Sequence, residues 1–81
     1  MVHQRPIFVK GRRYRVKATF TVLSHRFEAG EVLVFVKQGY TPYDESFIYS
    51  FKSVSDGTDK AWALHDAEPD DTWTKYFELV P

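Results

Sequence analysis

The chain has 81 residues, 43% of them hydrophobic and 17% aromatic, which suits one domain with a small aromatic core. Eleven Lys and Arg balance eleven Asp and Glu, against a generic nucleic-acid coat or a polybasic membrane binder. The lack of cysteine excludes disulfides, zinc thiolates and thiol catalysis, and no apolar run approaches the roughly 20 residues of a spanning helix.

The balance hides an asymmetry. Residues 1–27 carry seven cations (Arg5, Lys10, Arg12, Arg13, Arg15, Lys17 and Arg26) and no acid, whereas residues 28–81 carry all eleven acids against four lysines. Either the two stretches neutralise each other in the fold, or one face stays basic and another acidic and steers a charged partner.

In chain order, residues 1–10 read as a lead-in, polar from Met1 to Pro6, with Ile7–Val9 as a short preceding strand. Residues 11–81 form the single domain. Tyr14, Val16, Ala18, Phe20 and Val22 alternate with Arg13, Arg15, Lys17, Thr19 and Thr21, predicting one half-buried strand with its cations in solvent. Ser24–Gly30 reads as a connection, with Phe27 tucked under a turn at Gly30. Glu31–Lys37 is a β-branched and aromatic run, the mark of a central strand apolar on both faces, which Gly39 and Pro42 break. Phe47, Tyr49 and Phe51 alternate with Ile48, Ser50 and Lys52 in a strand extending to Val54, and Asp56-Gly57 marks a hairpin into a strand over Ala61–His65. Asp66–Asp71 is an acidic loop. Asp70, Asp71 or Thr72 is expected to cap a short helical turn through Tyr76, before a final edge strand at Glu78–Val80. Five short strands without helical periodicity predict an all-β barrel or sandwich, its core built from Phe20, Phe27, Phe35, Phe47, Tyr49, Phe51, Trp62 and Phe77.

Three segments carry a resemblance. Phe27-Glu28-Ala29-Gly30-Glu31-Val32-Leu33-Val34 resembles the diverging turn and second strand of SH3-like barrels. Ala61-Trp62-Ala63-Leu64 is similar to their tryptophan-bearing later strand, and Tyr76-Phe77-Glu78-Leu79-Val80 to their terminal turn and last strand. The pattern spans about residues 12–80 and implies an SH3-like antiparallel barrel of five to six strands, with one short helical turn before the last. The chain departs from it in having a short first connection, a single tryptophan where the family has a pair, and no proline before the terminal turn. Gly11–Val16 (Gly-x-x-Tyr-x-Val), Gly30-Glu31 and Pro42-Tyr43-Asp44 also resemble short uncharacterised bacterial proteins, which implies a fold and no activity.

Chemistry-bearing motifs are sparse. Asp66, Glu68 and Asp70 have the spacing that opens an EF-hand loop, but position six is Asp71 instead of glycine and position twelve is Phe77 instead of glutamate. Ser24 and His25 are sequence neighbours whose side chains point apart in extended chain, and Asp44-Glu45 is an ordinary loop pair. His3, His25 and His65 lie too far apart in sequence to form a local zinc motif. No catalytic residue, metal or cofactor is therefore expected.

Binding is the expected role. Tyr40, Tyr43, Trp73 and Tyr76 fall in loops and the terminal turn, beside Asp44 and Glu45, and form a candidate surface for a protein partner. The expected protein is a stand-alone cytoplasmic module of the inhibitor, immunity or phage anti-defence type, with no membrane association. The alternative is nucleic-acid binding through Arg12, Arg13, Arg15 and Lys17. A small enzyme is the third and weakest reading.

Overall fold

Seven strands and one 3-10 helix follow one another in the computed structural model, which describes residues 7–81. They are β1 (Arg13–Val16), β2 (Phe20–Val22), β3 (His25–Phe27), β4 (Val32–Thr41), β5 (Ser46–Ser53), β6 (Asp59–His65), the 3-10 helix (Asp70–Lys75) and β7 (Phe77–Leu79). Five strands form an antiparallel sheet in the order β6-β5-β4-β1-β7, and β2 and β3 pair as a separate hairpin. The expected all-β antiparallel class, with one helical turn before the last strand, is what the chain adopts. Among the described residues no strand pairing joins the two sheets into a closed barrel. The Met1–Pro6 part of the expected lead-in, including His3 and Arg5, lies outside the described residues.

Where alternation meets one buried face, the elements match their sequence. Phe47, Tyr49, Phe51 and Ser53 of β5 point inward, as do Trp62 and Leu64 of β6. The β5–β6 connection turns at Asp56, whose carboxylate accepts from the Thr58 N–H (3.0 Å) and hydroxyl (2.7 Å). Gly57 follows at φ +74°, a conformation open to glycine at no steric cost.

The nine-residue strand expected over 14–22 is two strands. Val16 donates its N–H to the Glu31 carbonyl and Lys17 to that of Tyr76, and beyond them the chain bends out of the sheet. Ala18 is exposed, and the Thr19 hydroxyl accepts the Ala29 N–H at 3.0 Å, holding the exit. The expected connection Ser24–Gly30 contains β3, because Leu23 and Ser24 (φ 51° and 65°) make the two-residue primed turn that suits a tight hairpin. Phe27 is fully buried, as expected, and Gly30 turns at φ +88°.

Gly39 does not break β4, which runs on to Thr41 because a bulge absorbs the irregularity. Phe35 pairs with Phe51 and Lys37 with Ser50, leaving Val36 as the extra residue. Before the bulge Leu33 and Phe35 face inward; after it Gln38 and Tyr40 share the inward side of Tyr49 and Phe47, and Lys37 is turned out. Ile7–Val9 is not a strand. The 3-10 helix has Pro69 at its N-cap, with Asp70, Asp71 and Thr72 already inside it, so none of the three takes the capping role. The last strand begins at Phe77, one residue early.

Phe8 is central to the core. Its ring lies 4.9–5.9 Å from those of Tyr14, Phe35, Tyr49, Phe51, Trp62, Trp73 and Phe77, mostly edge-on. The Tyr14 hydroxyl accepts the Val9 N–H at 2.8 Å and anchors the segment that brings Phe8 in. At the open side Lys60 joins β6 to the hairpin. Its ammonium donates to both Glu31 carboxylate oxygens (2.8 and 2.9 Å) and to the Arg26 carbonyl (2.6 Å), 5.4 Å from the Phe27 ring centroid.

Candidate functional site

The hairpin β2–β3 folds over the inner face of the sheet and sets Phe20 on Phe27, with rings stacked at 4.8 Å and 7°. Tyr76 closes the 3-10 helix, its N–H donating to the Trp73 carbonyl, and its ring lies 4.8 Å from Phe20 and 5.9 Å from Trp62. Phe20, Trp62 and Tyr76, with Thr21, Val22, Ala63, Glu68 and Thr72, line a groove of about 230 Å³ between β2, β6 and the helix. Phe20 and Tyr76 are half-buried and Trp62 forms the floor. The arrangement is an aromatic cleft with a polar rim.

The residues expected to bind a protein divide between two places. Trp73 packs inward on Phe8 (5.4 Å) and Tyr14 (5.9 Å), while Tyr76 lines the groove. Tyr40 is on β4 against Phe47 at 4.9 Å, and Tyr43 stands fully exposed at the β4–β5 tip beside exposed Asp44 and Glu45. Glu45 accepts the Asp66 N–H through its carbonyl at 2.7 Å. Partial burial, and then the charges of Asp66 and Glu45, push the Tyr40 phenol above 10.0, so its hydroxyl stays protonated at neutral pH. Sequence position assigned Phe20 and Trp62 to the core; their share in the groove comes from β2 crossing toward β6.

The basic residues also separate. Arg13 and Arg15 project from the outer face of β1, where Arg15 pairs with Glu78 at 2.8 Å. Arg12 is exposed just before the strand, and Lys17 is tied to the Thr74 carbonyl at 2.7 Å. Strand register adds two cations that sequence proximity did not indicate. Val34 is paired with Arg13 on one side and Lys52 on the other, and Lys37 occupies the neighbouring row with Ser50. A second concavity, about 480 Å³, lies here, lined by Val36 and Lys37 of β4, Ser50, Phe51 and Lys52 of β5, and Asp59, Lys60 and Ala61 of β6, with His25 of β3 at its margin. The charge asymmetry of the sequence is thus partly neutralised, through Arg15–Glu78 and Arg26–Glu28, and partly preserved on this face.

In the acidic loop, Glu68 accepts the His65 N–H at 2.9 Å. Among the described residues no three His, Cys, Asp or Glu side chains are grouped to hold a metal ion, and no helix is long and apolar enough to cross a membrane.

No protein-family model matches the chain, and no curated protein matches it. Among solved structures, the chain is similar to an integron cassette protein from the mobile metagenome of Vibrio cholerae. The TM-score is 0.72 at 19% identity, over 95% of this chain and 90% of that one. The likeness is one of fold.

Proposed function

We propose that this chain is a non-enzymatic binding module on an SH3-like barrel, acting in the cytoplasm as an inhibitor, immunity or anti-defence protein that recognises another protein. The observation that carries the reading is the Phe20–Trp62–Tyr76 groove, an aromatic cleft between two strands and a 3-10 helix. The sheet order β6-β5-β4-β1-β7, with a hairpin inserted after the first strand, supports the SH3-like reading. The exposed Tyr43, beside Asp44 and Glu45, supplies a second contact suited to a basic or mixed-charge partner.

The test is affinity capture from the native host, followed by binding kinetics of the captured protein. Thr21→Arg fills the groove from an exposed position without removing core packing. It should weaken binding at least about 30-fold, the loss typical of a hot spot, mainly by faster dissociation. Unchanged affinity in Thr21→Arg and in Tyr43→Ala would overturn the reading.

A further inference from the structure

We infer that the outer face of the five-stranded sheet binds the phosphate backbone of duplex nucleic acid. None of this surface's cations lines the aromatic groove, although Ala63 of β6 belongs to both. Register orders its side chains in rows. Arg13, Val34, Lys52 and Asp59 make one row, with Arg15, Val32 and Glu78 to one side and Lys37, Ser50 and Ala61 to the other. Toward the β4–β5 tip the rows turn neutral, Gly39-Ile48-Ala63 and then Thr41-Ser46-His65, before the acids Asp44 and Glu45. The cations are therefore gathered at one end of the face and the tip's acids stand at the other.

Arg15 is offset by Glu78, and Asp59 stands beside Lys52, so the four cations and two acids of these rows leave a net excess of two positive charges shared among Arg13, Lys37 and Lys52. Strands lie about 4.8 Å apart, so Arg13 and Lys52, two strands removed, are about 10 Å apart at their Cα atoms. Long basic side chains from these positions reach separate phosphates on one backbone.

The occupant follows from what the rows contain. Binders of single strands stack bases on aromatic rings, and the three rows that carry the cations hold valines, small residues and charges, the imidazole of His65 lying in the row at the tip end. A surface of spaced cations without stacking platforms suits a duplex, whose bases are already stacked and whose phosphates are presented outward. The valines between the cations keep the face low and allow close approach.

The probe is a labelled 20-base-pair DNA duplex and the matching single strand, followed by fluorescence anisotropy with the full chain. With three phosphates engaged, duplex affinity should fall about 40-fold between 50 and 200 mM salt, a log–log slope near −2.7. Arg13→Ala, Lys37→Ala and Lys52→Ala remove exposed side chains and should each flatten the slope by about 0.9, while Lys75→Ala on the 3-10 helix leaves it unchanged. Thr21→Arg should not weaken duplex binding, which separates this surface from the protein-binding groove. No duplex binding at 50 mM salt, a slope untouched by the three substitutions, or tighter binding of the single strand would each overturn the inference.

Discussion

Phe8 and Tyr43 mark the extremes of what one aromatic residue does in this protein. Phe8 is 6% exposed among the rings of five strands and the 3-10 helix, so Phe8→Ala leaves a cavity that its many neighbours cannot jointly collapse around. It should cost about 3–5 kcal/mol in denaturant unfolding, whereas Tyr43→Ala at the exposed tip should stay within about 0.5 kcal/mol. Asp56 supplies a pH dependence. The Thr58 N–H and hydroxyl hold its carboxyl below the ordinary 3.8. A depressed folded-state pKa means that the unfolded chain binds the proton more readily. The stabilisation is therefore present above the ordinary value and lost as pH falls from there through the folded one. Thermal melts across that acid range should show a shallower loss of stability for Asp56→Asn than for the parent. Equal slopes would show that the Thr58 bonds do not stabilise the charged form.

The hairpin β2–β3 is the element whose local sequence fits its geometry least. Both turn residues, Leu23 and Ser24, have positive φ, which costs L-residues about 1–2 kcal/mol each relative to glycine. The turn is retained because the hairpin places Phe20 on Phe27 and Tyr76, a gain in packing that offsets the local strain. Replacing Leu23-Ser24 by Asn-Gly should stabilise the fold by on the order of 1 kcal/mol and raise Tm by about 4–8 °C, since Leu23 is half-exposed and loses little contact. An unchanged or lower Tm would show that the backbone is not strained there. The same hairpin forms one wall of the aromatic groove, so its substitution also tests whether a better-formed wall binds more tightly.

At the scale of the whole molecule, β1 lies between β4 and β7, so the first and last strands of the sheet hold each other in place. Phe77 of β7 is 1% exposed and stacks on Phe51 at 5.4 Å, which ties this closure to the centre of the core. Deleting residues 77–81 therefore removes an edge strand, the neighbour of β1 and a core ring together. The truncated chain should lose its cooperative thermal transition and its near-ultraviolet aromatic circular dichroism. A cooperative melt that survives the deletion would show that the remaining strands hold together without β7.

The residues themselves dictate most of the strands, because alternation against one core leaves few choices. Phe47, Tyr49 and Phe51, then Trp62 and Leu64, point inward by period two alone. Three features depend on partners distant in sequence. The bulge at Val36 belongs to the pairing of β4 with β5; it turns Lys37 outward and Tyr40 inward although the run Val32–Val36 is apolar throughout. Phe8 sits in an apolar triplet with no periodic context, and five later strands and a 3-10 helix supply its neighbours. The same holds for function. Tyr76 and Arg13 stand out in the sequence, but only the crossing of β2 toward β6 gives Tyr76 its groove with Phe20 and Trp62. Only the register through Val34 sets Lys52 beside Arg13, 39 positions apart in the chain. Side-chain period is a property of one strand and is written locally. Register and crossing are properties of pairs of segments, decided by which pairing buries the aromatic core.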